Sequence, residues 1–377
     1  MRSRMLLALL LLPIAAWGQT YTYSTLASFP PASQNGPTEI EAPLIIDNAG
    51  NLYGTSFRGG TNGIDQGGFG TVFKVSSKGA FTVLHNFTGG DGAWPLANVV
   101  RDSAGNLYGT TTSGGNYDEG TVFKMSPAGK VTTLYTFEGT KDGNEPFQPV
   151  MLDGKGNLYG YVYEFEDGSQ VGSGMIYKIT SSKQFSIVYN FDTAQGATGI
   201  NPAGRMILGR DGNFYGATQL GGLLDGVTQN GVVFQFTPEN QLTVLHTFYE
   251  GDSSDVQNPV GKLTQDAQGN MYGGALSGKN SAIYKIDSSL NESVLTDCCA
   301  GSASMVVDQQ GDVYSEGDNS VQKTTPSGEV TTIFTAPAGI SISTDVAIDS
   351  TGNLYGTTSN GGVNKTGSVF KLTKHGS

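Results

Sequence analysis

Gly50-Asn51-Leu52-Tyr53-Gly54 decides the fold, because the chain keeps returning to it. The pentapeptide reappears as Gly105-Asn106-Leu107-Tyr108-Gly109 and Gly156-Asn157-Leu158-Tyr159-Gly160. It recurs in altered form around Tyr215, Tyr272 and Tyr314, and closes the series at Tyr355. Seven copies at steps of 41 to 57 residues mark a repeat architecture. In such an array each unit buries its apolar faces only against its neighbours.

Around each pentapeptide the pattern predicts four short strands. First comes an apolar run such as Pro43-Leu44-Ile45-Ile46. A tight Asp-x-x-Gly-Asn turn leads into the Leu-Tyr-Gly strand, and a Gly-rich loop leads to Gly70-Thr71-Val72-Phe73-Lys74. A further turn delivers Thr82-Val83-Leu84-His85-Asn86-Phe87. These runs are rich in Val, Thr, Tyr and Phe and are bounded by Gly, Pro, Asn and Asp, which is the signature of strands; no window sustains a helical period. Four antiparallel strands repeated seven times predict an all-β, seven-bladed β-propeller.

The two ends of the chain fit one another. The seventh copy stops at Lys371-Leu372 after its third strand, while Tyr23-Ser24-Thr25-Leu26-Ala27-Ser28-Phe29 has the pattern of a fourth strand with no blade of its own. The N-terminal strand is therefore expected to complete the last blade and close the ring, which removes an open sheet edge. The inner strands read as near-continuous apolar runs, such as Val150-Met151-Leu152, because both their faces meet neighbouring blades. The repeated Tyr and Phe are expected to pack blade against blade.

Composition narrows the function. Of 377 residues 55 are glycine, and 33 acidic residues against 21 basic give a net charge of −12. The glycine has no three-residue period, which excludes collagen, and the 17 Tyr and 18 Phe exclude a disordered chain. The acidic balance argues against nucleic acid, whose phosphates require Lys and Arg. Three His and two Cys leave little for a zinc site or a His-based triad. At the N-terminus, Arg2 and Arg4 precede the apolar run Met5 to Ala16 and then Ala16-Trp17-Gly18. This is the pattern of a secretory signal peptide over residues 1–18, leaving 19–377 as a single propeller domain, secreted to the periplasm or beyond, monomeric and without membrane insertion.

These motifs resemble the GloVer-type tandem-repeat family of secreted bacterial proteins. Its GNLYGTT-like and GTVFKL-like stretches alternate with a TVLYSF-like strand and a GGDG-x-x-P loop. Here the last element is Phe87-Thr88-Gly89-Gly90-Asp91-Gly92-Ala93-Trp94-Pro95, and Gly-Asp-Val-Tyr-Ser at 311–315 has lost the second glycine. The Asp-x-x-Gly-Asn-Leu-Tyr turn is more distantly similar to that of NHL and gluconolactonase-like propellers. The family brings no assigned catalytic residues to this chain.

Candidate sites follow from the ring geometry. The turn aspartates Asp47, Asp102, Asp153, Asp266, Asp308 and Asp349 lack the alternating oxygen donors of a calcium loop and are expected to cap their own turns; copy four carries Asp211 instead. Most of the acidic residues fall in the long loops that share one face. They cluster as Asp118-Glu119, Asp142 with Glu145, Glu164-Glu166-Asp167, and Glu250-Asp252-Asp255. Such a face focuses negative potential and suits a cation, with calcium the candidate, or it serves solubility. At the channel mouth, the position ten residues before each tyrosine reads Pro43, Asn98, Pro149, Arg205, Lys262, Ser304 and Asp345. Asn98, Arg205, Lys262 and Asp345 are the candidate ligand-binding set.

His85 and His246 fall where other copies have Tyr135, Tyr189 and Phe334, a pattern of packing. Adjacent Cys298 and Cys299 are a disulfide candidate expected to lock a local loop, with a link between chains or a reduced pair as alternatives. The leading expectation is a non-enzymatic binding scaffold, possible calcium assistance included, that engages a glycan, surface polymer or protein through its long-loop acidic face. The alternative is a metal-assisted hydrolase or lyase at the channel mouth.

Overall fold

The strands form at the sequence repeats and pair in chain order, inner to outer. In blade one they are Ile45–Ile46, Leu52–Ser56, Thr71–Val75 and Phe81–Asn86. A computed structural model describes residues 20–31, 36–40, 42–62, 67–139, 142–164, 173–191, 197–224, 227–228, 230–249, 256–277, 280–296, 305–344 and 346–376. Seven four-stranded antiparallel sheets make up the ring, and there is no helix among the described residues, hence none long and apolar enough to cross a membrane. The expected signal peptide, Cys298 and Cys299 lie outside the described residues.

The ring closes as its ends suggested. Thr20–Ser28 pairs with Ser368–His375 as the outermost strand of blade seven, Tyr23 opposite Leu372 and Thr25 opposite Phe370. Past that strand, the Phe29 N–H donates to the Gly367 carbonyl at 3.0 Å. On the inside, Ile45–Ile46 of blade one touches Ala347–Ile348 of blade seven.

The core is seven separate blade interfaces, each joining one blade's motif tyrosine to apolar side chains of the next. Tyr53 and Val72 pack on Leu107 and Phe123, and Tyr108 and Val122 pack on Leu158 and Tyr177. At closure, Tyr355 and Val369 pack on Leu52 and Phe73. Alternating side chains on one strand therefore serve opposite interfaces, as the two-residue period of a strand requires.

The second glycine of the pentapeptide is a seat for an aromatic ring. Gly54 stands opposite Phe73, and a Cβ added at Gly54 would lie 2.5 Å from the Phe73 ring. Gly109 with Phe123 and Gly356 with Phe370 repeat the arrangement. Blade six departs at both positions together: Ser315 replaces the glycine and Gln322 the aromatic.

Blades four and five break the symmetry. Their innermost strands, Ile200–Leu208 and Gln257–Gln265, run nine residues, against two in blades one, two, three and seven. Each contains an Asn-Pro-x-Gly-basic segment, 201–205 and 258–262, and each bulges there. Residues 204–206 stand opposite the single Gly216, and 261–263 opposite Gly273. Bulges re-aim the side chains they carry.

Candidate binding site

The bulges bring Arg205 and Lys262 to a cavity of about 490 Å³ at the starts of the innermost strands. Gly204 and Gly261 make this possible. Both have left-handed backbone, φ +55° and +69°, and a Cβ on Gly204 would overlap the Gly261 carbonyl and the Lys262 nitrogen. With no side chain between them, the two strands approach backbone to backbone.

Pro43, Asn98, Pro149, Arg205 and Lys262 all line this one cavity, so five of the seven aligned positions converge. Asp345 and Ser304 lie outside the described residues. Sequence alignment of the copies missed Phe147, Gln148 and Gln219, which also line it. The signal was available for Phe147 and Gln148, which immediately precede Pro149. Gln219 comes from near the end of the second strand of blade four, Phe214–Leu220, away from the inner-strand positions that the tyrosine spacing picks out.

Threonines two residues past the motif tyrosine anchor the wall. Thr55 Oγ1 donates to the Ala97 carbonyl at 2.9 Å, and Thr110 Oγ1 to the Gln148 carbonyl at 3.2 Å. Blades one and two thereby fix the start of the next blade's inner strand, and Asn98 is held with only 5% of its surface exposed.

Arg205 is the electrostatic feature of the cavity. Its Nε is enclosed and has no hydrogen-bond partner among the described residues, and burial lowers its guanidinium from the ordinary arginine value. The group nevertheless stays charged at neutral pH, because arginine's reference value is so high. No carboxylate or histidine is among the described residues that line the cavity.

The acidic loops use several of their carboxylates internally. Asp118 accepts from Ser113 Oγ at 2.5 Å and from the Gly114 N–H at 2.8 Å. Asp142 accepts from Tyr135 Oη at 2.5 Å and from the Glu138 N–H at 2.9 Å. Glu145 is raised above the usual carboxylate range by burial first and then by the charge of Glu119. Glu164 closes the second strand of blade three. Glu166, Asp167, Glu250, Asp252 and Asp255 lie outside the described residues, and among the described residues no three His, Cys, Asp or Glu gather as a metal site.

The turn aspartates cap their turns and, in every copy but the third, also hold the motif tyrosine; the Tyr159 hydroxyl is buried without a hydrogen-bond partner among the described residues. Asp47 accepts from the Asn51 N–H at 2.9 Å and from Tyr53 Oη at 3.1 Å, with Lys74 Nζ 5.5 Å from the centre of that ring. Copy four keeps the bond despite its displaced acid, Tyr215 Oη donating to Asp211 at 2.7 Å. His85 packs edge-on against Phe87 as expected of a core position, but it does more: its Nε2 donates to Asp91 at 2.9 Å. Tyr135 makes the same bond to Asp142, so this outer-strand position pins the loop between blades.

Solved structures share the architecture. Virginiamycin B lyase from Staphylococcus aureus, in a catalytically inactive form with quinupristin, superposes with TM-score 0.63 at 12% identity, covering 94% of this chain and 99% of that one. An oligogalacturonate lyase in complex with manganese gives TM-score 0.58 at 10% identity, over 94% and 97%. At such identities the likeness is one of fold, which does not carry function with it. No curated protein matches the sequence. The sequence itself matches the Gloeobacter/Verrucomicrobia repeat over residues 16–198 and 165–314, more than half of its length, and the chain belongs to that repeat family.

Proposed function

We propose that this protein is an exported binding scaffold whose ligand seats in the cavity at the channel mouth, with the long-loop face as its surround. The observation that carries the reading is the convergence of Asn98, Arg205 and Lys262 on one cavity, next to the amides of Gln148 and Gln219. Its volume falls in the range of small-ligand sites, about 300–1,000 Å³. Proline, phenylalanine and aliphatic surface supply the apolar wall, while amides and cations supply orientation. That mixture fits a glycan or the end of a surface polymer better than a flat protein partner. The described lining groups, amides and cations, suit holding a ligand by hydrogen bonds and charge.

Export rests on the pattern of residues 1–18. Calcium is a subordinate part of the reading, through the facing carboxylates of Glu119 and Glu145, and melting after chelation and again with millimolar calcium tests it. A thermal-shift screen of oligosaccharides tests the principal claim, run on the wild type and on Asn98→Ala/Arg205→Gln/Lys262→Gln. The expected result is a ligand that raises the melting temperature of the wild type and not of the variant. Equal stabilisation of both would refute the cavity as the seat.

A further inference from the structure

The cavity is built for a particular charge. Arg205 and Lys262 come from equivalent bulges of adjacent blades, in the segments Asn201-Pro202-Ala203-Gly204-Arg205 and Asn258-Pro259-Val260-Gly261-Lys262. Gly204 packs on Gly261 and the Lys262 nitrogen, so the two basic residues enter the same wall from strands in backbone contact. The corresponding positions of blades one, two and three carry the uncharged Pro43, Asn98 and Pro149, while those of blades six and seven, Ser304 and Asp345, lie outside the described residues. Two positive charges thus stand on one side of the cavity, and no acidic residue is among its described lining residues. This concentration of cations is the reverse of the protein's overall balance, with its net charge of −12.

Enclosed charge needs a partner. An arginine cannot discard its proton as a buried lysine can, and an enclosed guanidinium without hydrogen bonds is costly to maintain. Arg205 is partly in this position: its Nε is enclosed and unpartnered among the described residues, while the residue as a whole is half-buried. An anion in the cavity would supply both the opposing charge and the acceptors, and arginine with carboxylate is the pairing whose planar geometry matches best. The neighbouring amides Asn98, Gln148 and Gln219 offer donors and acceptors of the kind that meet hydroxyl groups.

We infer that the ligand of this cavity is an acidic sugar, a hexuronate unit whose carboxylate lies between Arg205 and Lys262 while its hydroxyls meet the amides. The inference rests on the cavity being the ligand seat and adds the charge and class of what it holds. The volume of about 490 Å³ accommodates one or two sugar units. The strongly acidic loops outside do not contradict this. They discourage anions that lack a place to dock, while the cationic wall holds the one that fits, a division between attraction and rejection that specificity commonly uses.

Isothermal titration calorimetry on the full mature chain tests it, with D-galacturonate, D-glucuronate and digalacturonate against galactose, glucose and inorganic sulfate. Binding of a uronate at least tenfold tighter than its neutral sugar, weakened at least tenfold in Arg205→Gln and in Lys262→Gln, is the expected result. Unchanged melting of both variants would show that the loss is not unfolding, and Arg205→Lys is expected to restore part of the affinity. Equal binding of the neutral and acidic sugars would overturn the inference while leaving the cavity as a ligand seat. Sulfate binding as tightly as the uronates would overturn the sugar class. If no sugar of either charge bound, both the inference and the glycan-binding reading would fall.

Discussion

Gly204 lies against Gly261 with no side chain between them, and that contact sets the distance between blades four and five at the channel. The bulges on either side depend on it, and with them the placement of Arg205 and Lys262. Elsewhere in the ring the inner strands are two or three residues long. The lengthened pair is thus a local specialisation of an otherwise repeating structure, at the place where the charge is concentrated.

Gly204→Ala should be among the most damaging single substitutions in the ring. The new Cβ combines a left-handed backbone with overlap onto Gly261. Strain of this kind costs about 1–3 kcal/mol and overpacking a similar amount. Urea denaturation is expected to give a loss of at least about 2 kcal/mol. A loss within experimental error would show that the strands have room to part.

The seat that glycine provides for an aromatic ring gives a double-mutant test in blade six. Gln322→Phe alone should be destabilising, since the ring would meet the Ser315 side chain across the strand pair. Ser315→Gly added to it should recover the loss, with a coupling of about 0.5–3 kcal/mol. Additive effects would argue that the two departures in blade six are unrelated.

Tyr272→Phe isolates the bond from motif tyrosine to turn aspartate. Tyr272 is buried, and its hydroxyl donates to Asp266 at 2.9 Å. The expected loss is about 1.5–3 kcal/mol, because the acceptor is ionised. Asp266→Ala should cost more, since it also removes the acceptor for the Asn270 side chain and for two backbone N–H groups. Equal stability of Tyr272→Phe and the wild type would reduce the bond to ornament.

Acid should unfold the protein through these same turns. Burial, the largest influence on Asp47, Asp102, Asp211, Asp266 and Asp349, works to raise them. The hydrogen bonds from Asn or Tyr side chains and from backbone N–H groups together outweigh it and hold all five carboxyls below their ordinary value. A carboxyl lowered in the folded state gives stability that is present above the unfolded pKa, about 3.9, and is lost as pH falls through the folded value. Melting temperature is expected to change little between pH 7 and 5 from this source and to drop steeply below about pH 4. An unchanged melting temperature down to pH 2 would contradict the role given to the turns.

The ring was legible because repetition turns a sequence comparison into geometry. Equivalent residues of each blade sit at the same radius and height, so alignment on the tyrosines puts Asn98, Arg205, Lys262 and Asp345 at the channel, and the cavity includes the first three, Asp345 lying outside the described residues. The same symmetry hid the exceptions. Asn201-Pro202 and Asn258-Pro259 look like loop in sequence, and the positive φ of both asparagines fits a turn, yet they lie within nine-residue strands. His85 looked like packing because Tyr and Phe replace it. Its bond to Asp91 joins a strand to a loop whose path only the structure gives, although Asp91 and Asp142 both follow their partners at nearly the same interval.

Hydrogen exchange with a saturating uronate, read by mass spectrometry, addresses most directly where this protein holds its ligand. Protection is expected at residues 96–98, 204–205 and 260–262, with the loops at 111–119 and 142–146 unchanged. Protection confined to those acidic loops, with the inner-strand segments exchanging as before, would contradict the assignment of the channel-mouth cavity as the binding site.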